Sequence, residues 1–248
     1  MIGIIGYGMV GKAVSNGFPK VARLISDPKY NDLSIKYMVE KDPAAIFVCV
    51  PTPTDDTEYG LLKGILLEID TLGYKGITVV KSTILPHHLV GFDVVYNPEF
   101  LSRATADEDF INPPMVILGG DADKTQRLAE IYRTMSVVNM NNVIFTDIGT
   151  ASMAKYCMNS FYATKIAFMN QMYDIAESLD IEWRKVTEIL AKHPWMGTHH
   201  FMVPGPDGQR GFGGPCLPKD TAALVKEFDV EILKTVLNLN DKYRNKDI

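Results

Sequence analysis

The chain has 248 residues, of which 46% are apolar and 22% charged, and its net charge is −5. These values are ordinary for a globular protein that buries a proper core, and the negative charge offers no basic surface to nucleic acid or an anionic membrane. No apolar run approaches the roughly 20 residues that span a bilayer.

The first predicted element is a buried strand over residues 1–5, followed at once by Gly6-Tyr7-Gly8-Met9-Val10-Gly11 and a helical run. This fingerprint is typical of dinucleotide binding, because its glycines allow a tight turn and a close approach of the backbone to a pyrophosphate. A second strand over residues 22–26 ends at Asp27, where a carboxylate accepts hydrogen bonds from ribose hydroxyls and repels a 2′-phosphate. The pattern predicts NAD rather than NADP, although Lys29 nearby weakens that preference.

Short β-rich runs then alternate with helical runs. The predicted strands cover residues 45–50, 77–81, 92–96, 115–118 and 143–146, and the helices cover 61–72 and 123–135, with a turn at 55–60. This alternation predicts an α/β domain over residues 1–148, a Rossmann-type doubly wound parallel sheet. Ligands of such sheets bind at the carboxyl ends of the strands, which is where Thr52, Thr83 and Glu99 fall. Each of these could instead be an ordinary loop residue.

From residue 149 the pattern changes to long helical periodicity with no strand signals, which predicts an all-helical central domain over residues 149–248. The predicted helices cover 151–179, 181–192 and 231–244, and a long loop covers 193–210. The first helix includes Phe161 and Phe168 and is apolar nearly all round, so we expect it to be central and buried. Lys155 and Asn159 share one face of it, and polar groups on a buried helix need partners or a site.

A cysteine stands between a glycine-rich loop and a predicted helix over residues 218–226, in the stretch Gly211-Phe212-Gly213-Gly214-Pro215-Cys216-Leu217-Pro218-Lys219-Asp220. With Pro218 at the first helical position, the positive end of the helix would favour Cys216 as a thiolate, and Lys219 adds a positive charge. Asp220 could handle a proton or a water. The alternative is that Cys216 is simply a small buried apolar residue.

The cysteines also bear on redox setting and metals. Cys49, Cys157 and Cys216 are odd in number and widely spaced, which argues against a disulfide framework and predicts a reducing, cytoplasmic location. His199 and His200 lie near Cys216 in sequence, but no second ligand pair stands at metal spacing, so we expect no metal.

Six motifs occur in an order typical of one family. They are the glycine fingerprint, Val48-Cys49-Val50-Pro51-Thr52-Pro53-Thr54, Lys81-Ser82-Thr83, Asn97-Pro98-Glu99-Phe100-Leu101, Lys155-Tyr156 with Asn159 and Lys165, and the stretch from Gly211 to Asp220. In these the chain resembles the UDP-glucose/GDP-mannose dehydrogenases, which oxidise the primary alcohol of a nucleotide sugar to a carboxylate with two NAD. The fingerprint is common to many dehydrogenases, whereas the later motifs are much more specific.

The resemblance implies a chemical role for several matching residues. Cys216 would attack the aldehyde formed by a first hydride transfer, giving a thiohemiacetal that a second transfer converts to a thioester. Lys155 and Asn159 would stabilise the developing oxyanion. Asp220, with Lys155, would orient or deprotonate a water. Glu99 and Thr83 would assist the hydrolytic step, with Glu99 as the general base.

The resemblance also implies two binding sets and a partner. The NAD site would be lined by Gly6, Tyr7, Gly8, Met9, Val10, Gly11, Asp27, Val50, Pro51, Thr52, Thr83 and Lys219. The nucleotide sugar, with UDP-glucose the best candidate, would contact Glu99, Phe100, Leu101, Lys155, Asn159, Phe212, Gly213 and Gly214. Relatives pair through their central helices, so we expect a homodimer through the helical domain.

Three departures from the family pattern concern the substrate side. Relatives usually carry a second acid where this chain has Arg103, and an arginine for a neighbouring subunit's site where it has His200. They also continue past the last helix into a second α/β domain that binds the nucleotide, whereas this sequence ends at Ile248. We therefore expect the resemblance to cover the cofactor and central domains alone.

Two alternatives compete with a nucleotide-sugar dehydrogenase. A β-hydroxyacid or 6-phosphogluconate-type dehydrogenase would share the framework, make one hydride transfer and need no thiol nucleophile. An NAD-binding subunit that is inactive or depends on a partner would account for the changed Arg103 and His200. The complete set of expected catalytic residues disfavours that second alternative.

Overall fold

The computed structural model describes residues 1–52 and 59–244. The predicted turn at 55–60 lies mostly outside the described residues, as do Pro53 and Thr54 of the proline-threonine motif. The chain divides into two compact units, Met1–Lys155 and Tyr156–Ile248. This division falls inside a long helix, whereas the sequence pattern placed a boundary at 148/149. None of the described helices is long and apolar enough to cross a membrane.

The described residues of the first unit form a seven-stranded sheet. Its strands are β1 (Ile2–Ile5), β2 (Arg23–Ser26), β3 (Ala45–Val48), β4 (Ile77–Val80), β5 (Val94–Tyr96), β6 (Val116–Gly119) and β7 (Val143–Thr146). Their order across the sheet is β2-β1-β3-β4-β5-β6-β7. Strands β1, β3 and β4 are buried along their whole length, as expected of parallel strands that are covered on both faces.

Helices connect most of these strands. They are α1 (Met9–Asn16), α2 (Ile35–Glu40), α3 (Gly60–Thr71), α4 (Ala106–Ile111) and α5 (Ala122–Met135). Helices α2 and α4 were not predicted, because six residues are too few to display a 3.6-residue periodicity. A start signal for α2 was nevertheless present, since the Ser34 hydroxyl accepts a hydrogen bond from the Tyr37 N–H at 3.1 Å.

One strand pair departs from the predicted parallel sheet. Strand β6 runs antiparallel to β5, with Tyr96 opposite Gly119, while the other neighbouring pairs are parallel. Helix α4, which lies between the two strands in sequence, is only about 9 Å long and packs beside α1, where Asn16 donates to Asp107. It does not carry the chain back along β5, so β6 enters the sheet from the opposite end.

The strand order creates a topological switch point between β1 and β3. From β1 the chain moves outward to β2, then returns to the other side of β1 to form β3 and the strands beyond it. Ligands of doubly wound sheets bind outside the carboxyl ends of the strands at such a point. The segments that begin with Gly6 and Cys49 are therefore the ones that the fold directs toward a ligand.

The described part of the second unit consists of helices and loops. The helices are α6 (Ile148–Ser178), which begins in the first unit, α7 (Trp183–Leu190), α8 (Leu217–Phe228) and α9 (Glu231–Arg244). Helix α6 begins before the predicted residue 151 because the Asp147 carboxylate accepts hydrogen bonds from the N–H and hydroxyl of Thr150. Helix α8 begins at Leu217, so Pro218 takes its second position rather than the predicted first; its missing N–H costs nothing there either.

The prediction that α6 is buried nearly all round was wrong for this chain. Tyr156 and Ala163 are buried, but Phe161 is 62% and Phe168 is 51% exposed. The buried face of α6 carries small residues, Ala163 and Ala167, which pack in one apolar cluster with Phe212 and Val236. The other helices of the second unit therefore cover one face of α6 and leave an aromatic face at the surface.

Candidate functional site

The three glycines of the fingerprint have different physical reasons. Gly6 has φ of +88°, and a Cβ there would lie 2.8 Å from the carbonyl oxygen of Cys49; a Cβ on Gly11 would lie 2.0 Å from the carbonyl oxygen of Gly6. Close packing of the backbone therefore requires glycine at both Gly6 and Gly11. A Cβ on Gly8 would meet no described atom within 4 Å. Packing does not explain Gly8, whereas the approach of a phosphate to the backbone does.

The start of α1 offers hydrogen-bond donors beside this open space. Gly8 is the N-cap residue, and no side chain of the described residues caps the first turn. The N–H groups there and the positive end of the helix attract an anion. Together with the room at Gly8, this geometry fits a pyrophosphate.

The Asp27 carboxylate is fixed at the end of β2, next to the glycine loop. One oxygen accepts from the Tyr7 N–H at 2.6 Å, and the other accepts from the Lys29 N–H at 2.8 Å. These bonds lower the pKa of Asp27 below its ordinary value, so the group is anionic at neutral pH. An anchored anion at this position suits the hydroxyls of an unphosphorylated ribose.

The ends of β3 and β4 are tied to each other by side chains. The Thr52 hydroxyl donates to the Thr83 carbonyl at 2.8 Å, and the Ser82 hydroxyl donates to the Val50 carbonyl at 2.6 Å. Val50 also lies against Gly6, 3.2 Å from a Cβ built there. The predicted NAD-site residues of the two strands and the fingerprint are therefore neighbours in the first unit.

Glu99 and Lys155 form a buried pair within the same unit. The Lys155 amine donates to the Glu99 carbonyl at 2.5 Å and lies 3.5 Å from its Oε1, while the Leu101 N–H donates to Oε2 at 2.7 Å. The Phe100 ring lies 5.0 Å from the amine. The structure thus gathers these predicted substrate and catalytic residues around one carboxylate. A buried ion pair adds little to stability by itself.

Sequence reasoning assigned no role to a second buried lysine, Lys81. Its amine donates to the carbonyl and the side-chain oxygen of Asn97 at 3.1 and 3.0 Å. The Tyr132 hydroxyl donates to the same side-chain oxygen at 2.8 Å, and the Asn97 amide donates to the Ile117 carbonyl. Burial lowers the pKa of Lys81 to about 8. The sequence offered one indication of this buried lysine, namely its position at the end of a predicted β-strand that is mostly apolar.

The second unit carries its own buried polar cluster around Asp220. The Asn159 amide donates to one carboxylate oxygen at 2.5 Å, and the Lys219 amine contacts the other at 2.5 Å. Asp220 is only 1% exposed, and its N–H donates to the Cys216 carbonyl at 2.9 Å. Cys216 occupies the N-cap position of α8 and is half-buried. The predicted nucleophile and the predicted water-activating acid are therefore one helical turn apart.

Comparison with known protein families accounts for both units. Residues 24–136 match the NAD binding domain of the UDP-glucose/GDP-mannose dehydrogenase family, and residues 149–242 match its central domain. The chain belongs to the UDP-glucose/GDP-mannose dehydrogenase family. Its first unit therefore contains the family's NAD-binding domain, and its cofactor is NAD.

Individual relatives of this family cover most of the chain. A UDP-glucose 6-dehydrogenase of Haloferax volcanii is 31% identical over 232 residues, covering 81% of this chain and 53% of that protein. A GDP-mannose 6-dehydrogenase of Pseudomonas aeruginosa is 31% identical over 219 residues, covering 77% and 48%. A solved UDP-glucose dehydrogenase of Pyrobaculum islandicum superposes with a TM-score of 0.80 at 25% identity, over 97% of this chain and 68% of that one. The chain spans about half the length of the curated relatives it matches.

Two positions were expected to depart from the family pattern. Arg103 is exposed. His200 stacks on Tyr162 with ring centroids 4.6 Å apart, and burial lowers the pKa of His200 below its ordinary value. At neutral pH this histidine is therefore uncharged, unlike the arginine that the resemblance implies there. The loss of that charge is a real electrostatic difference within the second unit.

Proposed function

We propose that the chain carries out, or contributes to, the NAD-dependent oxidation of a nucleotide sugar's primary alcohol to a carboxylate. The single observation that carries this proposal is the buried Asp220 with its donors Asn159 and Lys219, set in the first turn after Cys216. If Cys216 only filled space in the core, its packing would not account for a buried carboxylate one helical turn away. An acid held by two donors beside a thiol at a helix start suits covalent catalysis.

The reaction requires two oxidations at one carbon. NAD would supply the hydride acceptor for each, one molecule per oxidation, with the first NADH exchanged for a second NAD between them. In the first, the alcohol loses a hydride and a proton and becomes an aldehyde. The Cys216 thiolate then forms a C–S bond to the aldehyde carbon, and the carbonyl electrons move to oxygen. Lys155 and Asn159, one turn apart on α6, would stabilise that oxyanion.

The second oxidation converts the thiohemiacetal to a thioester by loss of another hydride. Water then adds to the thioester carbonyl, and the C–S bond breaks with its electrons returning to the Cys216 sulfur. Glu99, or Asp220 with Lys155, would take the proton from that water. The second proton of the water is released to solvent as the acid ionises, which leaves the carboxylate and the regenerated thiolate.

UDP-glucose is the proposed substrate, with UDP-glucuronate as the product. The similarity to UDP-glucose and GDP-mannose dehydrogenases supports a nucleotide sugar of this kind. Phe212, Gly213 and Gly214 would hold the sugar largely through backbone groups, which a glycine loop makes accessible. A cytoplasmic role in polysaccharide biosynthesis completes the proposal.

The test is the number of NADH formed per sugar with a panel of UDP- and GDP-sugars. We expect two NADH per sugar and an acid product from the wild-type protein. Cys216→Ser should bind NAD normally and form no acid, because a hydroxyl is a far weaker nucleophile than a thiolate. Cys157→Ser is the matched control, since that cysteine is exposed on α6 and should leave the stoichiometry unchanged.

Other outcomes separate the alternatives. One NADH per substrate, with full activity of Cys216→Ser, would mean a single-hydride dehydrogenase and reduce Cys216 to a packing residue. NAD binding without turnover on any sugar would mean an inactive or partner-dependent subunit.

We also propose a homodimer through the helical unit. Phe161, Phe168 and Ile175 are all exposed, and their spacing of seven residues places them on one face of α6. Leu179, directly after the end of the helix, is also exposed. Exposed large apolar side chains that recur on one face of a helix are common at protein interfaces. Light scattering at micromolar concentration should give twice the chain mass, and Phe168→Glu should give a monomer. A monomeric wild-type protein would contradict the proposal.

A further inference from the structure

The segment that leads to Cys216 is held by two buried asparagines from different helices. The side-chain oxygen of Asn170 on α6 accepts the Gly211 N–H at 3.0 Å, and that of Asn240 on α9 accepts the Phe212 N–H at 2.6 Å. Asn170 is 1% and Asn240 is 6% exposed. Two successive backbone groups of a loop are therefore bonded to side chains rather than to secondary structure.

The backbone at Gly211 is shaped around this contact. Gly211 has φ of +70°, and a Cβ there would lie 2.5 Å from the Asn240 side-chain oxygen. The amide oxygen thus occupies the space that any other residue at position 211 would need. The next residue, Phe212, is buried against Ala163, Ala167 and Val236, so the segment is fixed by packing as well.

Asn170 is itself held in one orientation. Its amide nitrogen donates to the Ile166 carbonyl at 2.9 Å, which leaves its oxygen facing Gly211. Arg210 donates to the Asn170 carbonyl at 2.9 Å and pairs with Asp174 at 2.5 Å. A displaced Asn170 would disturb each of these bonds, so the clamp on the loop is rigid on the α6 side.

We propose that Asn170 and Asn240 are positioning residues for Cys216, an inference that rests on the proposed function of that thiol. Beyond Phe212 the chain runs through Gly213, Gly214 and Pro215 to the cysteine, and glycines leave a backbone free to adopt many conformations. The α8 side is held where Asn159 bonds Asp220. The asparagine clamp fixes the other side, so the thiol is presented from a loop fixed at both ends.

An amide is not what packing alone would select at position 240. Val236 and the partly buried Leu237 precede it on α9, and a leucine would have the same branching as the asparagine, with methyl groups in place of the oxygen and nitrogen and no polar group to bury. The asparagine contributes a hydrogen-bond acceptor that a leucine lacks. Asn240→Leu and Asn240→Asp therefore separate the two properties, because aspartate keeps the shape and the acceptor.

The experiment compares these two variants with a matched control. Each protein is the full chain in the oligomeric state in which it is purified. Asn238→Leu makes the same substitution at an exposed position of the same helix. Four quantities are measured for each: kcat and KM for acid formation, NAD affinity, melting temperature, and the alkylation rate of Cys216 by iodoacetamide relative to Cys157. Peptide mass spectrometry gives that ratio within one sample.

We expect Asn240→Leu to lower kcat about 100-fold, the effect of a nucleophile misplaced by about 1 Å, with NAD affinity unchanged. The alkylation ratio should rise, because a released loop exposes the half-buried thiol to a small reagent. Turnover and thiol reactivity thus move in opposite directions, which general damage with intact NAD binding does not produce. Asn240→Asp should recover most of the turnover, and Asn238→Leu should match the wild type.

Wild-type turnover or an unchanged alkylation ratio in a folded Asn240→Leu protein would overturn the inference. If that variant does not fold, Gly211→Ala replaces it, because its Cβ displaces the same contact while every asparagine remains. If the wild-type protein makes no acid from any sugar, the proposed function fails by itself. The alkylation ratio then still decides whether the asparagines position the thiol.

Discussion

The two units of this chain hold their functional groups in different ways. In the first, the end of the sheet that faces the cofactor is shaped largely by backbone: the Gly6–Gly11 turn follows β1 directly, and the Tyr7 N–H fixes the Asp27 carboxylate. In the second, side chains from distant parts of the chain hold the cysteine loop. The bonds that Asn159, Asn170 and Asn240 make span 61, 41 and 28 residues of sequence.

The difference has a physical consequence for mutation. A site built from backbone is lost when a side chain is added, since the backbone has nowhere to move in a packed sheet. A site built from side chains is lost when a side chain is removed, while the fold around it survives. The glycine variants test the first half of this contrast, and the asparagine variants test the second.

The largest effect is expected from alanine substitutions at Gly11, which is tightly packed, and at Gly8, which is not. Gly11→Ala places a Cβ 2.0 Å from the Gly6 carbonyl oxygen and should lower the free energy of unfolding by about 3 kcal/mol. Gly8→Ala meets no described atom within 4 Å, so its unfolding free energy should change by less than about 0.5 kcal/mol. Its NAD affinity should fall nevertheless, because the methyl group enters the space of the pyrophosphate.

Denaturant unfolding and NAD titration measure the two quantities. Equal losses of stability in the two variants would contradict the division of the fingerprint into packing and ligand-facing glycines. Unchanged NAD affinity in Gly8→Ala would show that the cofactor does not approach that turn.

The next effect concerns the pH dependence of stability through Lys81. Its pKa is about 8 in the folded chain against an ordinary 10.5, chiefly because of burial, with Cys49, Glu99 and Lys155 as charged or titratable neighbours. Between these values the unfolded chain holds the proton and the folded chain has released it. Stability therefore rises with pH in this window, by up to about 3 kcal/mol in total, and below pH 8 the burial penalty is fully present.

Lys81→Met should abolish that rise, and the comparison of the two proteins isolates it. Burial raises the pKa of Cys49 to about 12 from 9.0, which makes stability fall with pH above about 9. Because both proteins contain Cys49, the difference between their unfolding free energies is clearest from pH 8 to 9. An identical pH slope for the two proteins in that interval would contradict the buried, titrating lysine.

Features of the first unit that depend on local pattern could be predicted from the sequence, whereas those that depend on packing between distant segments could not. The strands and the long helices have periodic or β-rich signatures, and Gly6, Asp27, Thr52 and Thr83 follow strands whose ends must share one edge of the sheet. The antiparallel β6 was missed because its direction depends on how α4 packs, which no local pattern records. Lys81 was missed for a similar reason, since its acceptor Asn97 lies on the next strand's end.

The helical unit was less predictable at its site. Periodicity located α6 and α9, and the cysteine stretch was recognisable as a motif. The pairing of Asn170 with Gly211, and of Asn240 with Phe212, depends on how helices pack against a loop of irregular backbone. A mid-helix asparagine gives no sign of its partner. The exposed Phe161 and Phe168 were also misjudged, because an apolar helix face looks the same whether its partner is in the chain or outside it.

The smallest effect is expected at Asp27, a side chain that lies beside the glycine turn of the first unit. Asp27→Asn keeps an oxygen that can accept the Tyr7 N–H, so the turn should stay in place while the negative charge is lost. The preference for NAD over NADP should then fall about tenfold, or about 1.4 kcal/mol, since the charge no longer repels the 2′-phosphate and Lys29 nearby attracts it. Titration of both dinucleotides at low and high salt measures this, and salt should shrink the wild-type preference because Asp27 is only half-buried. If the wild-type protein already binds NADP as tightly as NAD, the selectivity role of Asp27 is wrong, and its two backbone bonds serve only to shape the turn.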